Sequence, residues 1–175
     1  MIPAFGRDGL LPVGEHPSDW EEFVARFSGT PDNGRRRKLM LGLAQMLFLL
    51  NEAECRVVWI DGSFVTRERW PKDFDLCYDP QRMSLDLLSP ELRDVSQGRA
   101  AQKRRFGGEA LAADFPFEAN SSTVREAFMR TREGETKGIV RLELTAVRSQ
   151  LVQFLLDNQL HRENNNREGN PHGTP

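Results

Sequence analysis

The chain has 175 residues and a formal net charge of −2 at pH 7, a length that allows one domain with a hydrophobic core plus appendages. This charge balance excludes a generic polyanion binder, which would be strongly basic, so any contact with nucleic acid has to be local. The two cysteines, Cys55 and Cys77, each adjoin an apolar run, which favours reduced thiols in a cytoplasmic protein over a disulfide framework.

The N-terminal region, residues 1–16, combines Pro and Gly with scattered apolar side chains and is predicted to be an extended arm over the core. It has no basic leader followed by an apolar stretch, and no apolar run in the sequence reaches the ~20 residues needed to cross a bilayer. We therefore expect a soluble, cytoplasmic protein without membrane contact.

Two helices are predicted before residue 55. Ser18 with Glu21 has the pattern of a capping box, and apolar residues at helical spacing follow up to Phe27. After a turn at residues 29–34, a longer helix is expected from about Arg35 to Glu54. Its first turn, residues 35–38, carries four cations where the helix dipole favours anions. These cations are either a solvated basic turn or a site for phosphates or an acidic partner.

Two predicted strands flank a charged loop in the central part of the chain. The apolar run Val57 to Ile60 predicts a strand that ends at Gly62-Ser63, and a second short strand begins near Asp73. Because side chains alternate along a strand, Asp73 and Asp75 are expected on one face and their apolar neighbours on the other.

This arrangement predicts a site for a metal and a phosphate group. Two neighbouring carboxylates disfavour each other's charged form unless a cation lies between them, and Mg²⁺ or Mn²⁺ prefers such oxygen ligands. A glycine lets the backbone approach an anion, and the amide and hydroxyl of Ser63 can donate to phosphate oxygens. The alternative interpretation is an ordinary turn followed by acids on the solvated face of an edge strand.

The second half of the chain predicts a helix, two strands and a final helix. Ser89-Pro90-Glu91 begins a helix that should run to about Phe106 and stop at the glycines that follow. Alternation over residues 110–117 predicts a strand on which Asp114 is the lone acid. A further strand is expected from Ile139 to Leu144.

A last helix is expected from Thr145 to about Arg162, and residues 161–175 are predicted to be a disordered tail because they contain almost no apolar side chain. Residues 17–160 then form the domain. The predicted fold class is α/β (α+β), with a small mixed sheet that carries the acids on one face or edge and helices packed on the other.

The central motif resembles a known family. Gly62-Ser63, nine intervening residues and Asp73-Phe74-Asp75 are similar to the signature of the DNA polymerase β-like nucleotidyltransferase superfamily, especially its minimal single-domain bacterial members. The resemblance extends over most of residues 1–144 to a poorly characterised branch, through the segments Ile2–Phe5, Asp8–Pro12, Asp61–Thr66, Pro71–Asp75 and Lys137–Arg141. It implies the polymerase β-like fold.

The resemblance also implies an activity. A nucleoside monophosphate would pass from a nucleoside triphosphate to a hydroxyl of a protein, a tRNA or a small molecule, with two Mg²⁺ ions held by Asp73, Asp75 and a third carboxylate. Members often take the third carboxylate from a strand after the helix that follows the Asp-x-Asp strand. That makes Asp114 the first candidate, ahead of Glu143 and Asp61.

For the triphosphate, the resemblance implies that Gly62 and Ser63 position the β- and γ-phosphates, with Arg67 or Lys72 adding positive charge. Several members act in toxin–antitoxin or phage-defence pairs, so a partner protein is a further expectation. Two other functions fit the same residues: a catalytically inactive module that binds a nucleotide or a partner toxin, and a structural protein with no nucleotide site.

Overall fold

The computed structural model describes residues 1–30, 32–117 and 122–168, with side chains up to residue 160. Its strands are β1 (Gly14–Ser18), β2 (Val57–Asp61), β3 (Phe74–Tyr78), β4 (Gly108–Ala112), β5 (Pro116–Phe117), β6 (Ser122–Thr123) and β7 (Gly138–Glu143). Its α-helices are α1 (Trp20–Phe27), α2 (Gly34–Glu52), α3 (Pro90–Arg93), α4 (Ala100–Phe106), α5 (Val124–Phe128) and α6 (Leu144–Glu168).

The main sheet is mixed and has the strand order β1-β7-β2-β3-β4. Strand β2 is antiparallel to both β3 and β7, whereas β1 runs parallel to β7 and β4 runs parallel to β3. The pair β5 and β6 forms a separate two-stranded antiparallel sheet. The predicted fold class, a small mixed sheet with packed helices, is therefore confirmed.

The two faces of the main sheet bury different sets of side chains. One face packs against α1, α2, α4 and α6 and holds the larger core, which includes Ile60, Phe74 and Leu76 at 0% exposure. The opposite face carries a smaller cluster around Trp59 and Cys77, which α5 helps to cover. Because strand residues alternate between faces, Asp75, between Phe74 and Leu76, faces away from the helices.

Helix α2 lies behind the centre of the sheet. Asn33 caps its N-terminus by accepting a hydrogen bond from the amide of Arg36 at 3.1 Å, which satisfies one of the free donors of the first turn. Its buried side chains follow the helical repeat and make it the central helix of the larger core: Leu39, Met40, Leu43, Met46, Leu47 and Leu50.

Three predictions for individual elements are wrong. Helix α1 is capped by Asp19 and not by Ser18. The helix expected from residue 89 to 106 is broken into α3 and α4, because Gln97 and Arg99 adopt positive φ angles of 47° and 60°. The strand expected over residues 110–117 ends at Ala112, and Phe115 beyond it is 61% exposed.

The two ends of the chain also differ from the prediction. The arm over residues 1–16 is not extended throughout, because it contains a turn at Gly6–Leu10 and ends within β1, an edge strand of the main sheet. Helix α6 continues to Glu168, so the predicted tail is helical over residues 161–168, and its remainder, 169–175, lies outside the described residues. No helix among the described residues is both long and apolar enough to span a membrane.

Candidate functional site

Three carboxylates form a row across the main sheet. Asp61 at the end of β2 is paired with Asp75 of β3, and Asp75 is paired with Glu109 of β4. Residues paired directly across neighbouring strands lie on the same face, with Cβ atoms ~4.5–5.5 Å apart. The row therefore lies on the face opposite α2, with Asp75 flanked by one acid on each neighbouring strand.

Asp75, at the centre of the row, has no ion-pair partner within 4 Å among the described residues. Its carboxylate makes no hydrogen bond or ion pair with any residue that the structure describes. Burial, together with the negative charges of Asp73, Glu109 and Asp61, raises the pKa of Asp75 from 3.8 to about 7, and the charge of Lys103 offsets this only in part. Near neutral pH this group therefore holds a proton readily or accepts another cation.

The two outer acids of the row are each paired with cations. Lys137, which precedes β7, forms an ion pair with Asp61 in a largely buried position. Glu109 forms ion pairs with Arg99 at 2.9 Å and with Lys103 at 2.8 Å. Burial acts to raise the pKa of Glu109, but hydrogen bonds from these two cations outweigh it and leave the pKa below its ordinary value. For Asp61, the effect of burial is larger than the opposing effect of the Lys137 charge, so the pKa of Asp61 is raised.

The turn after β2 brings the backbone against the central acid. Gly62 has a φ angle of 83°, and a Cβ atom added there would lie 2.7 Å from Oδ2 of Asp75. Only glycine fits both this backbone conformation and this close approach. Ser63 follows at the start of a short 3₁₀ turn, and its hydroxyl has no partner among the described residues.

A buried arginine of α2 holds the loop after this turn in place through hydrogen bonds. Arg36 is 6% exposed, and its guanidinium donates to four backbone carbonyl groups, those of Phe27, Phe64, Thr66 and Glu68. Asn33 and Arg35 fasten the following residues by donating to the carbonyls of Arg69, Pro71 and Lys72. The interpretation of residues 35–38 as a wholly solvated turn is therefore wrong for Arg36, and the prediction missed its role.

A signal for this role was present in the sequence. Arg36 lies three, four and seven positions before Leu39, Met40 and Leu43, so it belongs to the apolar face of α2. A charged residue on the buried face of a helix needs polar partners, and here the partners are loop carbonyls. The loop between Gly62 and Asp73 is consequently held in place by contacts with α2.

A basic cleft adjoins Asp73, which directly precedes β3. The cleft has a volume of about 380 Å³ and lies between α2, the end of the central loop and α4. Its charged lining residues are Arg35, Lys38, Lys72, Asp73, Lys103, Arg104 and Arg105. Lys103 also contacts Glu109, so this cation connects the cleft with the row of acids.

Comparison with known proteins gives a family without an assigned activity. Residues 3–143 match a family of unknown function (DUF6932), which is more than half of the chain. The chain belongs to the DUF6932 family. No curated protein and no solved structure matches it. The site of this DUF6932 protein therefore has to be understood from its own residues.

The structure brings together some of the predicted site residues of this DUF6932 member. Gly62, Asp73 and Asp75 lie close together, and Lys72 lines the adjacent cleft. Arg67, in the loop after β2, instead contacts the N-terminal arm by donating to the carbonyl of Gly6 at 3.3 Å.

Of the three acids considered as the third carboxylate, Asp61 is paired with Asp75, whereas Asp114 and Glu143 lie elsewhere. Asp114 follows the far end of β4 and borders a second, smaller cleft with Trp59 and Arg125. Glu143 ends β7, pairs with Arg141 at 2.9 Å and is 53% exposed. The structure also places Glu109 beside Asp75. The sequence did not suggest Glu109, because its position depends on the pairing of β3 with β4.

The donor set fits a hard cation that completes its coordination with substrate. No three of the His, Cys, Asp and Glu side chains in the described residues converge into a preformed metal site. Mg²⁺, however, is commonly held by one or two carboxylates plus substrate phosphates and water. Asp73 and Asp75, neither of which is paired with a cation within 4 Å in the described part of the chain, provide such carboxylates.

Proposed function

We propose that this DUF6932 protein is a metal-dependent nucleotidyltransferase of the polymerase β-like kind, which transfers a nucleoside monophosphate from a triphosphate to a hydroxyl group. The observation that carries the proposal is the carboxylate of Asp75, which has no ion-pair partner within 4 Å in the described residues and lies against the backbone of Gly62, next to other acids. A partly buried acid with a raised pKa beside other acids is typical of a functional site. The order of elements, from β2 through Gly62-Ser63 to Asp73 and Asp75, supports the same function.

In this proposal Asp73 and Asp75 hold Mg²⁺ or Mn²⁺. Metal chemistry of this kind lowers the pKa of an acceptor hydroxyl and offsets the charge of the departing pyrophosphate. Gly62 lets the backbone of the turn approach Asp75 closely, and the free hydroxyl of Ser63 next to it donates to a phosphate oxygen. The covalent change is one new bond between the acceptor oxygen and the α-phosphorus, with loss of pyrophosphate.

Glu109 takes the role that the resemblance suggested for Asp114. It lies on the strand after α4 and is paired with Asp75, whereas Asp114 lies beyond the other end of that strand. Arg99 and Lys103 hold Glu109 ionised in the free protein. Binding of a metal and a triphosphate would then let Lys103 move from Glu109 towards the phosphates, an exchange that keeps the local charge balanced.

The test is transfer of label from α-labelled nucleoside triphosphates, with Mg²⁺ or Mn²⁺, to components of a cell lysate. We expect native protein to label a protein or RNA band and the variant Asp73→Asn/Asp75→Asn to label none. Glu109→Gln should lose most of the transfer and Asp114→Asn should keep it. Transfer that survives loss of both Asp73 and Asp75 would contradict the proposed metal site.

A second candidate function is a nucleotide-sensing module that acts through a partner protein, as in a toxin–antitoxin pair. It is favoured by the pairing of Asp61 and Glu109 with cations, which leaves fewer acids for a metal. This function predicts triphosphate binding that depends on Asp73 but no transfer to any acceptor. Equilibrium dialysis with labelled triphosphate, beside the transfer assay, separates the two functions.

A further inference from the structure

The basic cleft concentrates positive charge in a chain that is slightly acidic overall. Six of the 24 Lys and Arg residues line it, but only one of the 26 Asp and Glu residues does. The cations come from three separate elements, namely the start of α2, the end of the central loop and the last turn of α4. A local cation cluster of this kind attracts a polyanion even when the net charge does not.

Half of these cations are engaged in the fold. Arg35 donates to loop carbonyls, Lys103 pairs with Glu109, and Arg105 pairs with Glu91. Lys38, Lys72 and Arg104 are the other half, and their side chains make no hydrogen bond or ion pair within 4 Å in the described residues. Of the three, Arg104 also acts on Asp94 through its charge. All three are exposed, one on each of the three elements. Each wall of the cleft therefore presents one spare cation to a ligand.

Helix dipoles explain only part of this pattern. Arg104, in the last turn of α4, lies where a dipole favours a cation. Arg35 and Lys38 lie near the beginning of α2, where the dipole favours anions and no acidic residue is present in the first turn. The cations of α2 thus oppose the local field, which a bound phosphate chain would relieve.

The neighbouring loop favours a nucleic acid over an acidic peptide. Trp70, two residues before Lys72, is 56% exposed, and the guanidinium of Arg69 lies 5.5 Å from its ring centre. Exposed aromatic rings beside cationic grooves are the usual means of binding single strands, since bases stack on the ring while phosphates contact Lys and Arg. An acidic peptide would use the cations but has no need of the ring.

We propose that this cleft binds a single-stranded nucleic acid, with phosphates against Lys38, Lys72 and Arg104 and a base on Trp70. The terminal hydroxyl of the bound strand is then the acceptor near Asp73. The role of the strand as acceptor rests on the proposed function. The binding of the strand in the cleft is independent of that function, because it needs neither metal nor triphosphate.

The test is fluorescence anisotropy with a labelled oligoribonucleotide of about 12 nucleotides, within the usual range of site sizes, in the presence of EDTA. The variant Lys38→Gln/Arg104→Gln removes two spare cations. Its matched control, Arg56→Gln/Arg132→Gln, removes two exposed cations that lie outside the cleft and have no side-chain partner in the described residues. Thermal melts check that each variant is folded.

Each phosphate contact with a single strand contributes ~0.7 to the slope of log K against log salt. We therefore expect Lys38→Gln/Arg104→Gln to lower the slope by about 1.4 and the affinity about 25-fold at 0.1 M salt, with the control within twofold of native protein. Trp70→Ala should weaken binding without changing the slope, because stacking is not ionic.

Three results would overturn the proposal: no binding by native protein, equal losses in the variant and the control, or displacement of the oligonucleotide by poly-glutamate at equal charge. A parallel loss of triphosphate affinity in Lys38→Gln/Arg104→Gln would assign the cleft to the triphosphate instead. If the oligonucleotide binds as expected but no triphosphate does, binding in the cleft is supported, and the proposed function, with the acceptor role, is refuted.

Discussion

At the scale of single residues, Arg36 links the central helix to the loop of the candidate site. Its four acceptors are backbone carbonyls of the segments that end α1 and follow β2. A neutral or shorter side chain would leave these carbonyls without their donor, and a buried unsatisfied polar group costs ~1–3 kcal/mol. The loop before Asp73 therefore depends on one guanidinium.

Replacement of Arg36 should destabilise the protein strongly. We expect Arg36→Ala to lower the free energy of unfolding by about 3 kcal/mol, because several buried acceptors lose their donor together. Arg37→Ala is the matched control, since Arg37 is exposed on the same turn and should change stability by no more than about 0.5 kcal/mol. Urea denaturation measures both, and equal effects would show that Arg36 is not the link.

The raised pKa of Asp75 predicts how stability depends on pH. Between about pH 4 and pH 7 the folded protein holds a proton on Asp75 that the unfolded chain has released, so stability falls as pH rises through this range. Asp75→Asn removes the effect. The variant should match native protein near pH 4 and exceed it by a few kcal/mol at pH 8.

Urea denaturation of both proteins at several pH values measures this difference, which isolates Asp75 from other titrating groups. Saturating Mg²⁺ should reduce the advantage of the variant at pH 8, because a cation beside the carboxylate favours its ionised form. A difference that stays constant from pH 4 to pH 8 would mean that Asp75 titrates as an ordinary surface acid.

At the scale of elements, the contact of α2 with α4 sets the shape of the basic cleft. Gly42 of α2 lies so close to α4 that an added Cβ atom would be 1.8 Å from the carbonyl oxygen of Phe106. Backbone cannot yield as a flexible side chain does, so any larger residue at this position has to separate the two helices. These helices carry five of the six cations of the cleft.

Gly42→Ala should therefore separate α4 from α2. We expect a loss of about 2–3 kcal/mol, typical of overpacking in a core, together with weaker binding of the oligonucleotide. Gly34→Ala in the same helix is the control, since a Cβ atom there meets nothing within 4 Å and alanine favours helix. Its stability should be unchanged or raised by up to about 1 kcal/mol.

What the sequence reveals about these elements depends on how local the determining contacts are. Strands β2 and β3 and the glycine turn follow from alternation and turn chemistry within about 20 residues, so the sequence predicts them. Asp73 lies just before β3 and lines the basic cleft. The partnership of Asp75 with Glu109 depends on β4, which pairs with β3 across a long connection. No periodicity reveals such a pairing.

The same reasoning explains why the sequence predicts one helix where the structure has the two helices α3 and α4. Residues 90–106 read as one helix because helical composition continues through them, but Asp94 accepts from the amide of Ser96 and the chain turns there. Tertiary contacts then decide where helix resumes, with Gln102 buried and donating to the carbonyl of Leu92. Local composition cannot distinguish these two outcomes.

At the scale of the whole molecule, α6 lies outside the segment shared with the family yet belongs to the core. The family match ends at residue 143, and α6 begins at Leu144. Its buried residues Val147 and Leu151 join the larger core, where α6 packs on α2 and α1. Loss of this helix would expose the back of α2, the helix that fastens the loop of the candidate site.

Leu151→Ala tests this dependence. Leu151 is 1% exposed, so we expect a loss of about 2–4 kcal/mol from the cavity that alanine leaves. Leu160→Ala is the control, because Leu160 is 56% exposed on the same helix and should cost well under 1 kcal/mol. Urea denaturation followed by circular dichroism measures both. If Leu151→Ala were as mild as its control, α6 would be an appendage and residues 1–143 a self-sufficient fold; a single, lower transition would instead make α6 part of one cooperative unit with the sheet.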